Sequence, residues 1–368
     1  MSQPAPLPAP SSAPSLDPAL VAALLDAALT APSGDNCQPW RLVPRADGAF
    51  DLRFVPARAA SIFDVEDLAS RMALGALLET LRIAASAAGV SARWRCDPDR
   101  ADPELWARLW LDARAQPADD LAGAIRDRYT HRGRYDGAPL SPTDAAALRA
   151  QRASPARLHL ITDAARLAAV AGLIGEADRI RSECRRAHED LQRWLRFDDG
   201  AVRATRDGLD VRTLGLGPVE RPMLRLLRPW GRMRVALRLG VAGRVASRAR
   251  DLVLGSAAVG LITVPSATAP DALAAGRLLQ RVWLRATERR LAFSPMAALP
   301  LLALRVERLG GEGLEPAHRE RLAELGAALR EAFDVAPGTP SLMLFRVGHA
   351  PPLAARALRR GVDELVRR

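Results

Sequence analysis

The chain contains no lysine: all 53 of its basic residues are arginines. Its net charge of +11 favours nucleic-acid binding, because basic proteins gain affinity for phosphate backbones by releasing counterions. However, alanine, leucine, proline and glycine are abundant as well, which is typical of a GC-rich coding bias, and aromatic residues make up only 4% of the chain, which leaves little material for base stacking. We therefore expect a small-molecule partner and no nucleic acid.

Cysteines are scarce and long apolar runs are lacking. Cys37, Cys96 and Cys184 are too few and too scattered for a disulfide framework or a tetrahedral zinc site. No uninterrupted apolar run approaches the roughly 18 residues of a membrane-spanning helix, and residues 1–15 lack the pattern of a signal peptide. We expect a cytoplasmic protein without stable membrane insertion.

Several catalytic motifs are missing too. The five histidines are dispersed and form no His-Glu-x-x-His pair, so we expect no metal. There is no Gly-x-Gly-x-x-Gly fingerprint, Walker A loop or Gly-x-Ser-x-Gly elbow, which excludes dinucleotide-fold dehydrogenases, P-loop nucleotidases and serine esterases of the usual kinds. Because no catalytic side chain stands out, a cofactor that carries its own chemistry fits better.

The most informative stretch that is present runs from Ala31 to Arg41, directly after a predicted helix at 16–30. It combines two prolines, a glycine and several polar residues with the only asparagine of the chain, Asn36. Such a composition indicates an ordered loop, and ordered loops often hold ligands. That the loop merely packs against the core stays an open alternative.

The rest of the chain predicts an α+β fold in two modules. We expect a disordered head at 1–15, a reduced module at 16–117 and a second module at 118–368. Besides 16–30, helices are predicted at 66–89, from 118, from 141, and at 163–193, 271–289 and 315–333. Strands are predicted at 50–55, 90–96, 105–111, 157–161, 259–264, 291–295 and 342–347.

A basic segment at 221–250 interrupts this alternation. It contains nine arginines and no acidic residue, interleaved with aliphatic residues and Trp230. Such an insertion fits three arrangements: it lies on a membrane surface, caps a ligand site, or packs with its arginines solvated.

Two further arginine clusters are suited to phosphate, because the guanidinium fork donates bidentate hydrogen bonds. In the first, Arg128, Arg132 and Arg134 alternate with Thr130 along a segment predicted to be extended, so that several of them can point the same way. The second cluster is Arg359-Arg360 near the end of the chain.

Together these motifs resemble the nitroreductase family of flavoproteins. The stretch Pro32-Ser-Gly-Asp-Asn-Cys-Gln-Pro-Trp-Arg41 is similar to the family's Pro-Ser-x-x-Asn-x-Gln-Pro-Trp loop. The stretch Arg128-Tyr-Thr-His-Arg-Gly-Arg-Tyr135 resembles its Arg-x-Ser-x-Arg-x-Phe phosphate motif, with threonine for serine and tyrosine for phenylalanine. Residues 271–300 resemble the long core helix and the strand that faces the flavin, and residues 345–352 with Arg359-Arg360 resemble the C-terminal strand and its basic residues.

The order of the motifs is unusual for that family. In ordinary members the arginine motif precedes the asparagine loop, and the site forms between two subunits, whereas here the arginine motif follows the loop. A tandem fusion similar to the Acg-type branch explains this order. The resemblance then implies a nitroreductase-like pseudo-dimer of two mixed-sheet modules flanked by helices, monomeric or weakly dimeric, with one complete site and an empty mirror site.

The resemblance also implies FMN as cofactor and NAD(P)H as co-substrate. Electrons would pass to a small acceptor such as a nitroaromatic or a quinone. The alternatives are a protein that sequesters flavin without turnover and a specialised biosynthetic flavin oxidase or dehydrogenase. The implied phosphate ligands are Arg128, Thr130, Arg132, Arg359 and Arg360. The ring and ribityl contacts would be Pro32, Ser33, Gly34, Asn36 and Gln38. The backbone facing flavin N5 would be that of Pro295, Met296, Ala297 and Ala298.

Overall fold

A computed structural model of the chain describes residues 16–97, 99, 101–353 and 355–366, so the head predicted at 1–15 lies outside the described residues. The helices are α1 (Pro18–Leu29), α2 (Pro56–Ala59), α3 (Leu68–Ala87), α4 (Pro142–Arg149), α5 (Ala164–Glu183), α6 (Arg185–Trp194), α7 (Asp199–Thr205), α8 (Glu220–Leu226), α9 (Trp230–Arg238), α10 (Val241–Leu254), α11 (Ala269–Glu288), α12 (Ala298–Leu309), α13 (Pro316–Ala332) and α14 (Val362–Leu365). The strands are β1 (Trp40–Pro44), β2 (Phe50–Phe54), β3 (Ser91–Cys96), β4 (Leu105–Asp112), β5 (Arg157–Ile161), β6 (Leu195–Arg196), β7 (Leu209–Asp210), β8 (Ala258–Thr263), β9 (Ala292–Met296) and β10 (Ser341–Gly348).

Eight of these strands form two sheets with the same topology. The first sheet has the order β1-β2-β4-β3 and the second the order β5-β8-β10-β9. Each sheet therefore places its four strands in the order first, second, fourth, third, and in each a 20-residue helix, α3 or α11, joins the second strand to the third. The predicted α+β class is confirmed, and the repeated unit is the arrangement that a tandem duplication produces.

The C-terminal segment crosses from the second half to the first. Within both four-stranded sheets neighbouring strands run antiparallel. A parallel bridge from Val366 to Leu42 extends the first sheet at its β1 edge. The neighbouring Leu365 is buried in the core that α1 and the first sheet enclose. The C-terminal segment thus packs on the half of the structure that contains the first sheet.

The two halves meet where α3 crosses α11 at a pair of glycines. A Cβ atom on Gly75 would lie 2.0 Å from the carbonyl oxygen of Leu273, and one on Gly276 would lie 1.8 Å from that of Met72. Only glycine permits so close an approach, because any side chain would overlap the opposing backbone. The crossing brings the aliphatic faces of both helices into continuous buried contact.

A buried ion cluster fixes the register of this crossing. The fully buried Glu79 on α3 accepts hydrogen bonds from Arg277 (2.8 Å) and Arg281 (3.0 Å) on α11 and from Arg82 (2.8 Å) on its own helix. Burial alone would raise the pKa of Glu79, but the hydrogen bonds and charges of these arginines hold it below its ordinary value. The carboxylate is therefore charged and fully used in joining the two helices.

Some predicted elements differ from the observed ones. The helix predicted at 163–193 is wrong as a single element, because the backbone of Cys184 turns to an extended conformation (ψ 114°) and separates α5 from α6. The helix predicted from 118 is only a 3₁₀ turn at Ala122–Ala124. The segment 221–250 folds into α8, α9 and most of α10. In the described residues no helix is long and apolar enough to cross a membrane.

Replacing Gly276 by alanine should lower the free energy of unfolding by at least about 3 kcal/mol, because the added methyl group must push α3 and α11 apart. The matched control is Gly172→Ala in α5, where a Cβ meets nothing within 4 Å. That change should be neutral or stabilising by up to about 1 kcal/mol. Urea denaturation followed by circular dichroism measures both; equal effects of the two variants would refute the crossing as described.

Candidate functional site

The loop after α1 adopts a strained backbone. Asp35, Asn36 and Gln38 all have positive φ, at 46°, 57° and 49°. Side chains other than glycine rarely adopt this conformation, so surrounding contacts must hold it. Such clustering of strain is common where a loop contacts a ligand.

Asn36 makes some of the contacts that stabilise the loop. Its side-chain Nδ2 donates to the carbonyl oxygen of Gly208 at 3.1 Å and to that of Leu358 at 3.0 Å. The amide oxygen Oδ1 is buried and has no hydrogen-bond partner among the described residues. Asn36 therefore ties its loop to two distant segments with its N–H groups and keeps one buried acceptor free.

Gln38 makes the same kind of connection. Its Nε2 donates to the carbonyl oxygen of Arg206 (3.0 Å), and its Oε1 accepts the backbone N–H of Arg360 (2.9 Å). Its own backbone N–H donates to Ser33 Oγ at 2.9 Å. The C-terminal segment is thus held directly on the loop of the first half.

Arg128 lies buried beside this loop with most of its donors unused. Its Nη2 donates to the carbonyl oxygen of Thr30 at 2.8 Å, and its Cζ stands 4.4 Å from the ring centre of Trp283. Its Nε and Nη1 are buried and have no partner among the described residues. Burial lowers the pKa of the Arg128 guanidinium well below its ordinary value, and the charge of Arg359 acts in the same direction.

Arg359 and Arg132 complete a cationic cluster with Arg128. Burial, with the charge of Arg132 as a second cause, lowers the pKa of Arg359 to about 10, and its buried Nε also lacks a partner. Burial lowers the pKa of Arg132 too, although Asp35 opposes the shift. The carboxyl of Asp35 is itself buried, which raises its pKa. Among the described residues neither Arg128 nor Arg359 forms an ion pair, so the cluster is short of negative charge.

The remaining members of the predicted phosphate group are placed differently. Thr130 is partly buried on the extended segment between Arg128 and Arg132. The Nε of Arg360 donates to Glu364 Oε2 at 3.3 Å, so its charge is already paired, whereas that of Arg359 is not. Arg134 is exposed.

The predicted flavin-facing backbone lies where β9 ends and α12 begins. The backbone N–H of His131 donates to the carbonyl oxygen of Phe293 at 2.9 Å, which joins the arginine segment to β9. Pro295, Met296, Ala297 and Ala298 follow, all partly exposed. No side chain caps the N-terminus of α12. The backbone N–H groups in the first turn of α12 are thus left for another acceptor.

Sequence patterns do not predict two contributors to the cluster. Trp283, under Arg128, occupies a buried position of α11 and looks like any core tryptophan of a long helix. Asp35 lies in the loop motif, but its local sequence predicts no role for it. Its charge interactions with Arg132, Arg181 and Arg193 become visible only when α5 and α6 are in place.

A curated relative of the chain is the uncharacterized protein MT1398 of Mycobacterium tuberculosis (strain CDC 1551 / Oshkosh), which is 29% identical over 341 residues. The match covers 90% of this chain and 46% of the relative, so the chain spans just under half of the relative's length. No family model matches the chain.

Similar solved structures include three nitroreductases. The FMN- and NADPH-dependent NfnB from Sphigopyxis sp. strain HMH is 19% identical, with 68% of this chain and 98% of that chain covered and a TM-score of 0.38. The FMN-dependent NfnB of Mycobacterium smegmatis in complex with NADPH is 18% identical, with 67% of this chain and 99% of that chain covered and a TM-score of 0.37. The nitroreductase with bound FMN from Desulfitobacterium hafniense DCB-2 is 13% identical, with 68% of this chain and 98% of that chain covered and a TM-score of 0.37. Each of these neighbours is named as a nitroreductase.

Proposed function

We propose that the chain is an FMN-dependent oxidoreductase that passes electrons from NAD(P)H to a small organic acceptor of the nitroaromatic or quinone type. The observation that carries the proposal is the cluster of Arg128, Arg132 and Arg359 next to the strained loop at 32–38. Buried guanidinium groups with unused donors and no carboxylate partner are expected where an anionic ligand completes the site.

The phosphate of FMN fits this cluster chemically. It carries close to two negative charges and offers oxygen acceptors. Within the described part of the chain, Arg128 Nε, Arg128 Nη1 and Arg359 Nε are donors without a partner. Arg132 and Thr130 would complete the phosphate contacts. We assign the second arginine of the C-terminal pair, Arg360, to holding Gln38 through its backbone and Glu364 through its side chain.

The remaining residues would position the flavin ring. The Oδ1 of Asn36, a buried acceptor without a partner, would receive an N–H of the cofactor, and the loop from Pro32 to Gln38 would line one side of it. The N–H groups that open α12 would lie on the other side. The bound flavin supplies the hydride chemistry, while the protein orients it and keeps water from the ring.

The site draws on both halves of one chain. The loop and Thr30 come from the first sheet's half, and the arginines come from the segment before α4 and from the C-terminal segment. This supports the tandem pseudo-dimer, in which the contacts that two subunits make in ordinary nitroreductases are made within a chain. We propose modules at 16–117 and 118–368, with one flavin site and an empty mirror site.

The replacement of Arg128 and Arg132 by alanine should weaken FMN binding by at least about 100-fold, because two charge-assisted contacts to the phosphate are lost. Binding is measured by quenching of flavin fluorescence on titration with apoprotein. The matched control is Arg134→Ala, two residues after Arg132 but exposed, which should leave the affinity within about twofold. Unchanged affinity of the double variant would refute the phosphate assignment.

Turnover distinguishes a reductase from a flavin store. The purified protein should be yellow, and anaerobic NADPH or NADH should bleach the flavin absorbance within seconds to minutes, followed by return of the colour on addition of a quinone. Persistent colour with NAD(P)H, together with bleaching by dithionite, would contradict the reductase proposal and favour sequestration. A flavin that an organic substrate bleaches without NAD(P)H would favour the biosynthetic oxidase or dehydrogenase.

A further inference from the structure

One surface of the molecule exposes apolar side chains to an unusual degree. The described residues include seven large hydrophobic residues that are exposed, and six of them lie between positions 219 and 254. The six are Val219, Met223, Leu226, Val235, Leu239 and Leu254. Val219 and Leu239 are each about three-quarters exposed, at 76% and 75%. The proposed flavin site uses none of these side chains.

We call residues 219–239 the arm; it consists mainly of α8 and α9. These helices have seven and nine residues, and of their side chains only that of Met233 is buried. Helices this short are marginal in water unless they pack an apolar face against something. On the protein side the arm is held by Leu224, which packs against Leu195, Leu209 and Val211, and by the buried Met233. Its other side carries the exposed aliphatic residues.

Part of this exposed surface lies on α8. Val219, Met223 and Leu226 recur at helical spacing and share one exposed face. Arg225 and Arg228 are also exposed, with their Cζ atoms 5.8 Å and 5.2 Å from the ring centre of Phe197. This part of the arm therefore presents aliphatic and arginine side chains to solvent together.

The arm also carries a strong positive charge. It contains six arginines and one acidic residue, Glu220, which gives +5, and Glu220 is paired with Arg248 outside the arm at 2.7 Å. Arg225, Arg228 and Arg232 further line an open cavity of about 590 Å³ between α6 and the arm, together with Glu189, Gln192 and Arg193 of α6. Its lining thus carries four arginines and one carboxylate. Any occupant must therefore accept aliphatic side chains and supply negative charge.

We infer that the arm docks the protein on an anionic phospholipid surface. A bilayer interface accepts exposed aliphatic side chains, and anionic headgroups attract arginines near the surface. A second copy of the chain fits less well, because it would bring two arms of like charge together. Nucleic acid would match the charge but would leave the aliphatic face in water. The docking is peripheral and independent of the proposed flavin chemistry.

The test is cosedimentation of the full chain with vesicles of phosphatidylcholine, with and without about 30% phosphatidylglycerol. The protein should bind the anionic vesicles at least about tenfold more tightly than the neutral ones, and added salt should weaken the binding. Equal binding to both vesicle types, or binding to neither, would overturn the inference.

Matched variants distinguish binding through the arm from nonspecific hydrophobic or electrostatic binding elsewhere on the protein. Leu239→Ser should weaken binding to anionic vesicles about fivefold or more, whereas Leu254→Ser, exposed but outside the arm, should not. The triple change Arg225→Gln, Arg232→Gln, Arg234→Gln should abolish binding, and the equally neutralising Arg114→Gln, Arg203→Gln, Arg290→Gln should change it less than threefold. Equal losses in each pair would contradict the assignment to the arm.

Sedimentation velocity of the same proteins without lipid tests the alternative that a second copy of the chain binds the arm. The wild type and Leu239→Ser should sediment alike. A wild type that self-associates and a Leu239→Ser variant that does not would identify the arm as an interface between copies and would overturn the lipid assignment. Thermal unfolding checks that each variant is folded.

Discussion

The crossing of α3 and α11 is the contact on which the rest of the structure depends. Gly75 and Gly276 let the two backbones approach until no side chain fits between them, and Glu79 with Arg277 and Arg281 fixes the register. Each helix also packs on its own sheet. The crossing therefore sets the position of one sheet relative to the other, and with it the distance between the loop of the first half and the arginines of the second.

The candidate site follows from that position. Asn36 and Gln38 hold segments that are far apart in sequence, at 206–208 and 358–360, and the strained loop is kept in place by these bonds. Arg128, Arg132 and Arg359 meet in the same region although burial and mutual repulsion disfavour their charges. Such a cluster is costly for the protein alone and becomes favourable when an anion occupies it.

Much of this could be predicted from the sequence, because local patterns carry it. The proline-bracketed loop around Asn36 and the alternating arginines at 128–132 were recognisable by residue type and spacing, and most helices and strands followed from periodicity. What could not be predicted depends on packing. The proposal of Arg359 rather than Arg360 as a phosphate ligand depends on the position of Glu364, which accepts a hydrogen bond from the Arg360 guanidinium. The break between α5 and α6 at Cys184 has no helix-breaking residue nearby in the sequence. The glycine crossing depends on how two helices pack together, which neither helix shows alone.

We propose that the two halves of one chain build a single site that holds the phosphate of FMN. The decisive experiment is calorimetric titration of the apoprotein with FMN and with riboflavin, which lacks only the phosphate. We expect one FMN per chain and riboflavin binding at least about 100-fold more weakly, since charge-assisted hydrogen bonds contribute about 1.5–3 kcal/mol each. Equal affinities for the two flavins, or two FMN per chain, would contradict it.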